Sequence, residues 1–384
     1  MAEPIVPQGG VLLGRVRHPD VAHPLVVTVH DGEVFDITGK RAPTVRDVCE
    51  LADAVSHVET ARDRPIGPLD EIAANSRQQT RQPGKPYLLA PVDLQAIKAC
   101  GVTFVVSLLE RVIEEQARGD PGKAKALRGE LTGLIGDDLS ALEPGSDAAM
   151  AVKEALIGRG IWSQYLEVGI GPDPEVFTKG QPLSAVGYGA EVGVLASSKW
   201  NNPEPEVVLI VASDLRIVGA SLGNDVNLRD IEGRSALLLG KAKDNNASGA
   251  IGPFIRLFDG EFTLETVKRA ELTMTVEGED GFAMTGRSSM RQISRPPEAL
   301  VAATSGAHHQ YPDGFALYLG TMFAPVEDRD KAGEGFTHHL GDVVRIACPE
   351  LGVLQNRVRP ATECAPWTYG VRQLMADLSA AQLI

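Results

Sequence analysis

Cysteine is scarce: four residues in 384, Cys49, Cys100, Cys348 and Cys364, far apart and in no Cys-x-x-Cys or Cys/His pattern. That excludes a disulfide framework and a thiolate zinc site, and leaves free thiols suited to a reducing compartment. Long apolar runs are missing too. None approaches the roughly 20 residues that span a bilayer, and the opening MAEPIVPQGGVLLGRVRHPD lacks a basic start followed by an apolar stretch. The expectation is a cytoplasmic protein with no membrane partner. Basic residues are outnumbered, 37 Lys and Arg against 51 Asp and Glu, for a net charge of -14, and no basic run of five occurs. So acidic a surface repels phosphate backbones, and nucleic acid is not an expected partner.

The length suits one large domain with an appendage, or two domains, either with a full core. Residues 11 to about 38 alternate short β-branched runs with DG and HP breaks, which predicts hairpins. Residues 44 to 59 have helical spacing, with Thr44 as the candidate N-cap. A polar stretch with two prolines, NSRQQTRQPGKPY (75–87), marks a linker, so residues 1–86 form a small α+β module and 87–384 the larger unit. Within the latter, SLLERVIEEQARG, GKAKALRGELTGLIG and SDAAMAVKEALIGRG predict three helices between DPG and EPGSD breakers, a helical insert over 112–160. After Trp162 the text turns to strands: EVGVLASS, EVVLIVAS, RIVGASLG, FTLETVKRAELTMTVEGE and GDVVRIACPELGVLQNRV. The tail from Val371 predicts an amphipathic helix that docks on the chain or pairs with another subunit.

The segment richest in chemistry is NNPEPEVVLIVASDLRIVGASLGNDVNLRD, residues 201–230. Glu204 and Glu206 sit two apart at the start of a strand, so the period of 2 puts both carboxylates on one face. A second strand returns about twenty residues later and ends in Asn224-Asp225, bringing a third carboxylate near. Three carboxylates without histidine or thiol suit a hard, oxygen-preferring cation such as Mg²⁺, with Mn²⁺ or Ca²⁺ as substitutes. A bare Glu-x-Glu also suits a solvated strand end, so the spacing alone leaves both uses open. The pairs His308-His309 and His338-His339 stand in loop-like text with no second ligand at a familiar metal spacing; a substrate contact near the mouth of a site is their alternative use.

Further elements follow in order: Asn224-Asp225-Val226-Asn227-Leu228-Arg229-Asp230, then Lys243 ten residues before the proline of Gly252-Pro253, with GYGAEVGV upstream and GDVVRIACPELGVLQNRV downstream. Over roughly residues 88 to 360 this order and spacing resembles the fumarylacetoacetate hydrolase superfamily. The resemblance implies a mostly β, α+β fold: a mixed β-roll or sandwich with flanking helices behind the small amino-terminal module. It also implies Glu204, Glu206 and Asp225 as metal ligands, Lys243 beside the metal as acid, base or enolate stabiliser, and Arg229 near the substrate. Lys241 is the rival lysine, but the gap to Pro253 fits Lys243.

One departure stands in GVTFVVSLLE (101–110). Glu110 matches the family's glutamate, and Ser107 occupies the position of its histidine, the group thought to activate water in members that cleave carbon–carbon bonds. Serine has no pKa near neutrality, so hydrolysis is disfavoured. Ser107, Arg111, Thr321 (of Gly320-Thr321) and Ser288 join Arg229 as expected substrate contacts, and Glu110 joins Lys243 as a catalytic candidate. Within the superfamily, the insert and the GKAKDNNASGAIGPF segment look most like the 2-keto-3-deoxypentonate dehydratases, which implies a 2-keto-3-deoxy sugar acid substrate, a 2-oxoglutarate semialdehyde product and a homo-oligomer, dimer or tetramer. Acylpyruvate hydrolysis, 2-keto acid decarboxylation, and a sugar-acid binding protein without turnover are the alternatives.

Overall fold

In the computed structural model of the chain the alternating segments become, among the described residues, eighteen strands in three sheets. The structure describes residues 4–384 except 63, 118–122, 124–141, 159, 161, 324, 326 and 332–334; of residues 105–107, 109, 110 and 114 it describes the backbone alone. The strands are β1 (Leu12–Arg17), β2 (Leu25–His30), β3 (Glu33–Asp36), β4 (Pro65–Pro68), β5 (Tyr87–Leu88), β6 (Ala96–Gly101), β7 (Glu175–Gly180), β8 (Glu191–Val194) and β9 (Asn201–Asn202). There follow β10 (Pro205–Val211), β11 (Ile217–Asp225), β12 (Asn227–Leu228), β13 (Gly249–Leu257), β14 (Glu271–Glu277), β15 (Ala283–Ser289), β16 (Phe315–Tyr318), β17 (Val343–Cys348) and β18 (Gly352–Pro360). Strand outweighs helix, giving the β-rich mixed fold that the sequence implies.

The largest sheet runs β4-β3-β2-β1-β13-β11-β10-β16-β6-β7, with β5 on β1. The amino-terminal strands therefore extend the main sheet through the β1–β13 pair, where Leu13 lies opposite Ile255. The β2–β3 hairpin turns on Asp31-Gly32, both at positive φ (50° and 78°), the backbone that an Asp-Gly hairpin turn uses. A second sheet, β15-β14-β17-β18-β8, packs its apolar face into the same core: Leu272, Met274 and Val276 are buried beside Leu222, Phe254 and Leu317. A two-stranded ribbon, β9 with β12, caps the end where the carboxylates lie.

Thr44 caps its helix as expected, its hydroxyl accepting from Asp47 N while Asp47 reaches back to the Thr44 N–H. The helical stretch 44–59 divides, however, into Val45–Glu50 and Ala54–Thr60. FTLET also departs from its strand pattern. Thr263 and Thr266 form a reciprocal cap that closes a single turn, Leu264–Val267, and the strand begins only at Glu271. Of the three expected insert helices, Val105–Ala117 and Asp147–Gly158 are present and the middle one lies outside the described residues. The tail helix Val371–Ala380 buries Leu374 and Leu378 within this chain. No described helix is long and apolar enough to cross a membrane.

Candidate metal centre

Glu204, Glu206 and Asp225 meet because β10 and β11 form an antiparallel hairpin in which Pro205 faces Asn224, so Glu204 falls opposite Asp225 and Asp225 N donates to Glu204 O at 3.0 Å. Ligand atoms from the three carboxylates lie within 4.8 Å of one another, and all three residues are buried. Buried like charges need compensation. It comes from three cations on three elements. Lys243, ending the helix Leu239–Lys243, places Nζ 2.6 Å from Glu204 Oε2 and 2.9 Å from Asp225 Oδ2. Lys179, on β7, brings Nζ to 2.7 Å from Asp225 Oδ1 and also donates to the Lys243 carbonyl. Arg111, on the helix Val105–Ala117, bridges Glu204 and Glu232, the latter at 3.3 Å.

Among the described residues Glu206 has no such ion-pair partner. Gly320 N donates to its Oε2 at 2.7 Å and the Thr321 hydroxyl to its Oε1 at 3.3 Å, both from neutral groups. Gly320 holds φ +104°, and a Cβ there would stand 2.0 Å from Thr103 Oγ1, so the N–H reaches Glu206 only because the residue is glycine. The protonation pattern follows. Burial, then Asp225 and Glu204, hold the Glu206 carboxyl well above the usual range. For Glu204 burial acts upward too, but Arg111 and Lys243 outweigh it and bring it down to about 2. Burial would lower Lys243, yet Asp225 and Glu204 dominate and keep its ammonium above the ordinary lysine range. Lys179 lies below that range because burial wins over Asp225. All-oxygen donors around one uncompensated carboxylate fit a hard divalent cation.

The remaining expected residues divide. Thr321 touches Glu206, and Ser288 lies behind it, donating to Met322 O at 3.2 Å. Arg229 is buried, with Nε donating to Asn202 Oδ1 at 2.7 Å on the β9–β12 ribbon. Ser107 and Glu110 stand on the Arg111 helix, but their side chains lie outside the described residues. His308 and His309 are exposed, while His338 is buried with Nδ1 3.0 Å from Asp342 Oδ2. Among the described residues none of these histidines joins a metal-binding group. Sequence reasoning missed Lys179, Glu175 and Glu232. Glu175, Phe177 and Lys179 alternate along β7 and so share one face, and Lys243 Nζ lies 5.7 Å from the Phe177 ring centre. Two ionisable residues flanking an aromatic at period 2 were the available signal.

A family model described as fumarylacetoacetate (FAA) hydrolase C-terminal matches residues 164–359. The chain is 26% identical over 330 residues to the "Probable 2-keto-3-deoxyxylonate dehydratase" of Haloferax volcanii, spanning 85% of this chain and 93% of that one. It is 27% identical over 186 residues to the "2-dehydro-3-deoxy-D-arabinonate dehydratase" of Saccharolobus solfataricus, 48% of this chain and 59% of the relative. Its fold is shared with the solved structure "2-keto-3-deoxy-D-arabinonate dehydratase complexed with magnesium and 2,5-dioxopentanoate", at a TM-score of 0.62 and 18% identity over 91% of this chain and 99% of that one. A fumarylacetoacetate hydrolase from Exiguobacterium antarcticum has the same fold at a TM-score of 0.55 and 15% identity, over 91% of this chain and 99% of that one.

Proposed function

Because the chain belongs to the fumarylacetoacetate hydrolase family, we propose that its carboxylate centre serves a Mg²⁺-dependent hydro-lyase that converts a 2-keto-3-deoxypentonate to 2-oxoglutarate semialdehyde, a step of oxidative pentose degradation. One observation carries the reading: a buried, all-oxygen triad in a chain whose relatives over 85% and 48% of its length are named as 2-keto-3-deoxypentonate dehydratases. The bound magnesium and 2,5-dioxopentanoate named for the structural neighbour point to the same ion and product. In the same reading the enzyme is a cytoplasmic homo-oligomer.

Glu204, Glu206 and Asp225 would hold the cation, which when bound supplies Lewis acidity to a chelating 2-keto acid and so acidifies its C3 protons. The protein's own groups do the rest. A base, Glu110 or Lys243, takes the C3 proton, and the C4 hydroxyl leaves as water with acid assistance. Tautomerisation through C5 then gives the aldehyde. With its ammonium form favoured, Lys243 suits stabilisation of the enolate oxygen and donation to the leaving hydroxyl; that leaves Glu110 to abstract the proton. In this reading Arg229 and Thr321 meet the substrate carboxylate, Ser107, Arg111 and Ser288 line its path, and the insert expected over 112–160 excludes water.

The test is a product assay on purified protein with a panel of 2-keto-3-deoxypentonates and acylpyruvates, with Mg²⁺ and with excess EDTA. Semialdehyde from at least one pentonate, abolished by EDTA, is the expected result, with little or no pyruvate from acylpyruvates. Rapid acylpyruvate cleavage without semialdehyde would move the protein to the hydrolases.

A further inference from the structure

A cavity of about 310 Å³ opens where the amino-terminal strands, residues 78–90 and the 365–369 segment meet. In a chain of net charge -14, its walls carry three arginines, Arg15, Arg17 and Arg81, and no carboxylate. Arg15 is spent on structure: Nη1 donates to Val92 O at 2.6 Å and Ala90 O at 3.3 Å, with Asp93 3.9 Å from Nε. The other two are not. Arg17 donates one bond, to Ala22 O, and lies 5.9 Å from the centre of the Tyr369 ring, whose hydroxyl is turned away to Asp377 at 2.7 Å. Arg81 stacks on Tyr87 at 3.9 Å and donates to Ser76 O at 2.7 Å, while its Nε is buried without a hydrogen-bond partner. A guanidinium has five N–H donors, so each of these two keeps donors for a ligand. Leaving a buried one unmet is costly. Among the described residues neither makes an ion pair with a carboxylate.

The remaining wall mixes apolar residues with Gln78, Ser184, Asn246 and Thr368, and Trp367, 47% exposed, borders both this cavity and a neighbouring depression of about 520 Å³. The volume exceeds an inorganic anion and falls at the small end of ligand pockets, roughly 300–1,000 Å³. Two guanidiniums with donors to spare favour phosphate, and the part-exposed Trp367 ring favours a planar ring. We propose that this cavity is an effector site for a mononucleotide-class anion, a phosphate carried on a planar ring system. No member of the carboxylate triad lines it, so the ligand is not the substrate. Its walls nevertheless include Ser184, in the loop that leaves Lys179, and Asn246, three residues past Lys243. An occupant therefore braces both segments that carry the buried lysines.

The experiment is a titration of the full chain with AMP, adenosine and inorganic phosphate separately, without Mg²⁺, read by tryptophan fluorescence and thermal shift. AMP should bind saturably below about 1 mM and more tightly than either fragment. Arg81→Gln and Arg17→Gln should each weaken it at least about tenfold; the second variant matters because Arg81 also holds the Ser76 carbonyl. Trp367→Phe should lose most of the fluorescence response and keep the thermal shift. Glu206→Gln should bind AMP as the parent does, which separates this site from the metal centre and from the proposed reaction. The inference is overturned if AMP shows no saturable binding up to about 10 mM, if both arginine variants bind it unchanged, or if a fragment alone binds as tightly.

Discussion

β10 and β14 are both seven-residue strands with glutamate in them, and they treat it in opposite ways. β14, ELTMTVE, alternates: Leu272, Met274 and Val276 are buried, and Glu271 and Glu277 face water at its ends. β10, PEVVLIV, is buried at every position because β11 and β16 flank it and both its faces are covered. Its Glu206 is fully buried on the same backbone geometry. A charge at the edge of a half-solvated strand costs little, whereas one in a central strand is destabilising unless a partner arrives. The second sheet thus supplies stability through ordinary packing. In the first, stability is given up locally to hold a charged site.

The largest expected effect breaks that arrangement at its uncompensated member. Glu206→Gln keeps the shape, and its amide can still accept from Gly320 N and donate to Thr321. Mg²⁺ affinity and turnover should fall by more than the ~10²-fold that loss of an outer-shell partner already costs a metal site. Removing a buried carboxyl that is crowded by Asp225 and Glu204 should leave the metal-free protein equally or more stable. Isothermal titration with Mg²⁺ and melting in EDTA measure the two halves; full activity in excess EDTA, or unchanged metal binding, would end the metal-site assignment.

Lys243→Met removes a compensating cation instead, so its signs differ. Turnover should drop at least the ~10²-fold expected of a lost acid–base group, with metal binding retained. Metal-free stability should fall by roughly 3–5 kcal/mol, as when one partner of a buried pair is removed. Exposed Lys241→Met is the control, and a control more damaging than the test variant would reassign the lysine. In the second sheet, Met274→Ala should cost about 2–5 kcal/mol through the cavity it leaves while kcat of the folded fraction stays near the parent's. A loss of kcat in that variant, at a temperature where it remains folded, would mean that the two sheets are not separate in function.

How far this was legible follows from the range of the contacts. Glu204, Glu206 and Asp225 lie on one hairpin, and period-2 spacing with a local turn suffices to bring them together. Lys243 is close in sequence to Asp225, and its role is implied by the family resemblance rather than by any local pattern. Lys179 lies 46 residues before Asp225 (225 − 179), and Arg111 lies 93 before Glu204; neither stands in a motif with its partner. Their approach depends on the closure of β7 and the Val105–Ala117 helix over the hairpin, which no local pattern encodes. The same holds for the parallel pairs β16–β6 and β8–β18 and for the β1–β13 pair that joins the amino-terminal strands to the main sheet. Local signals did place the Thr44 cap and the Asp31-Gly32 turn.

The smallest expected effect sits at the margin of the charged site. Glu175, at the start of β7, is pushed up to about 7, by burial first and then by Glu232, against the opposing pull of Arg111 and Lys243. The folded protein therefore holds a proton there more tightly than the unfolded chain, whose glutamate titrates near 4.5. Below that pH both states are protonated and nothing is lost. As pH rises from about 4.5 through 7 the unfolded state sheds its proton first, so stability declines across that window and levels off above it. Glu175→Gln imitates the protonated form at every pH. Its melting temperature in EDTA should match the parent's at about pH 4 and exceed it by a growing margin up to about pH 8, where the difference becomes constant. A margin that shrinks with rising pH, or none at pH 8, would show that Glu175 is ionised and well solvated in the folded state, and that the charged cluster ends at Arg111.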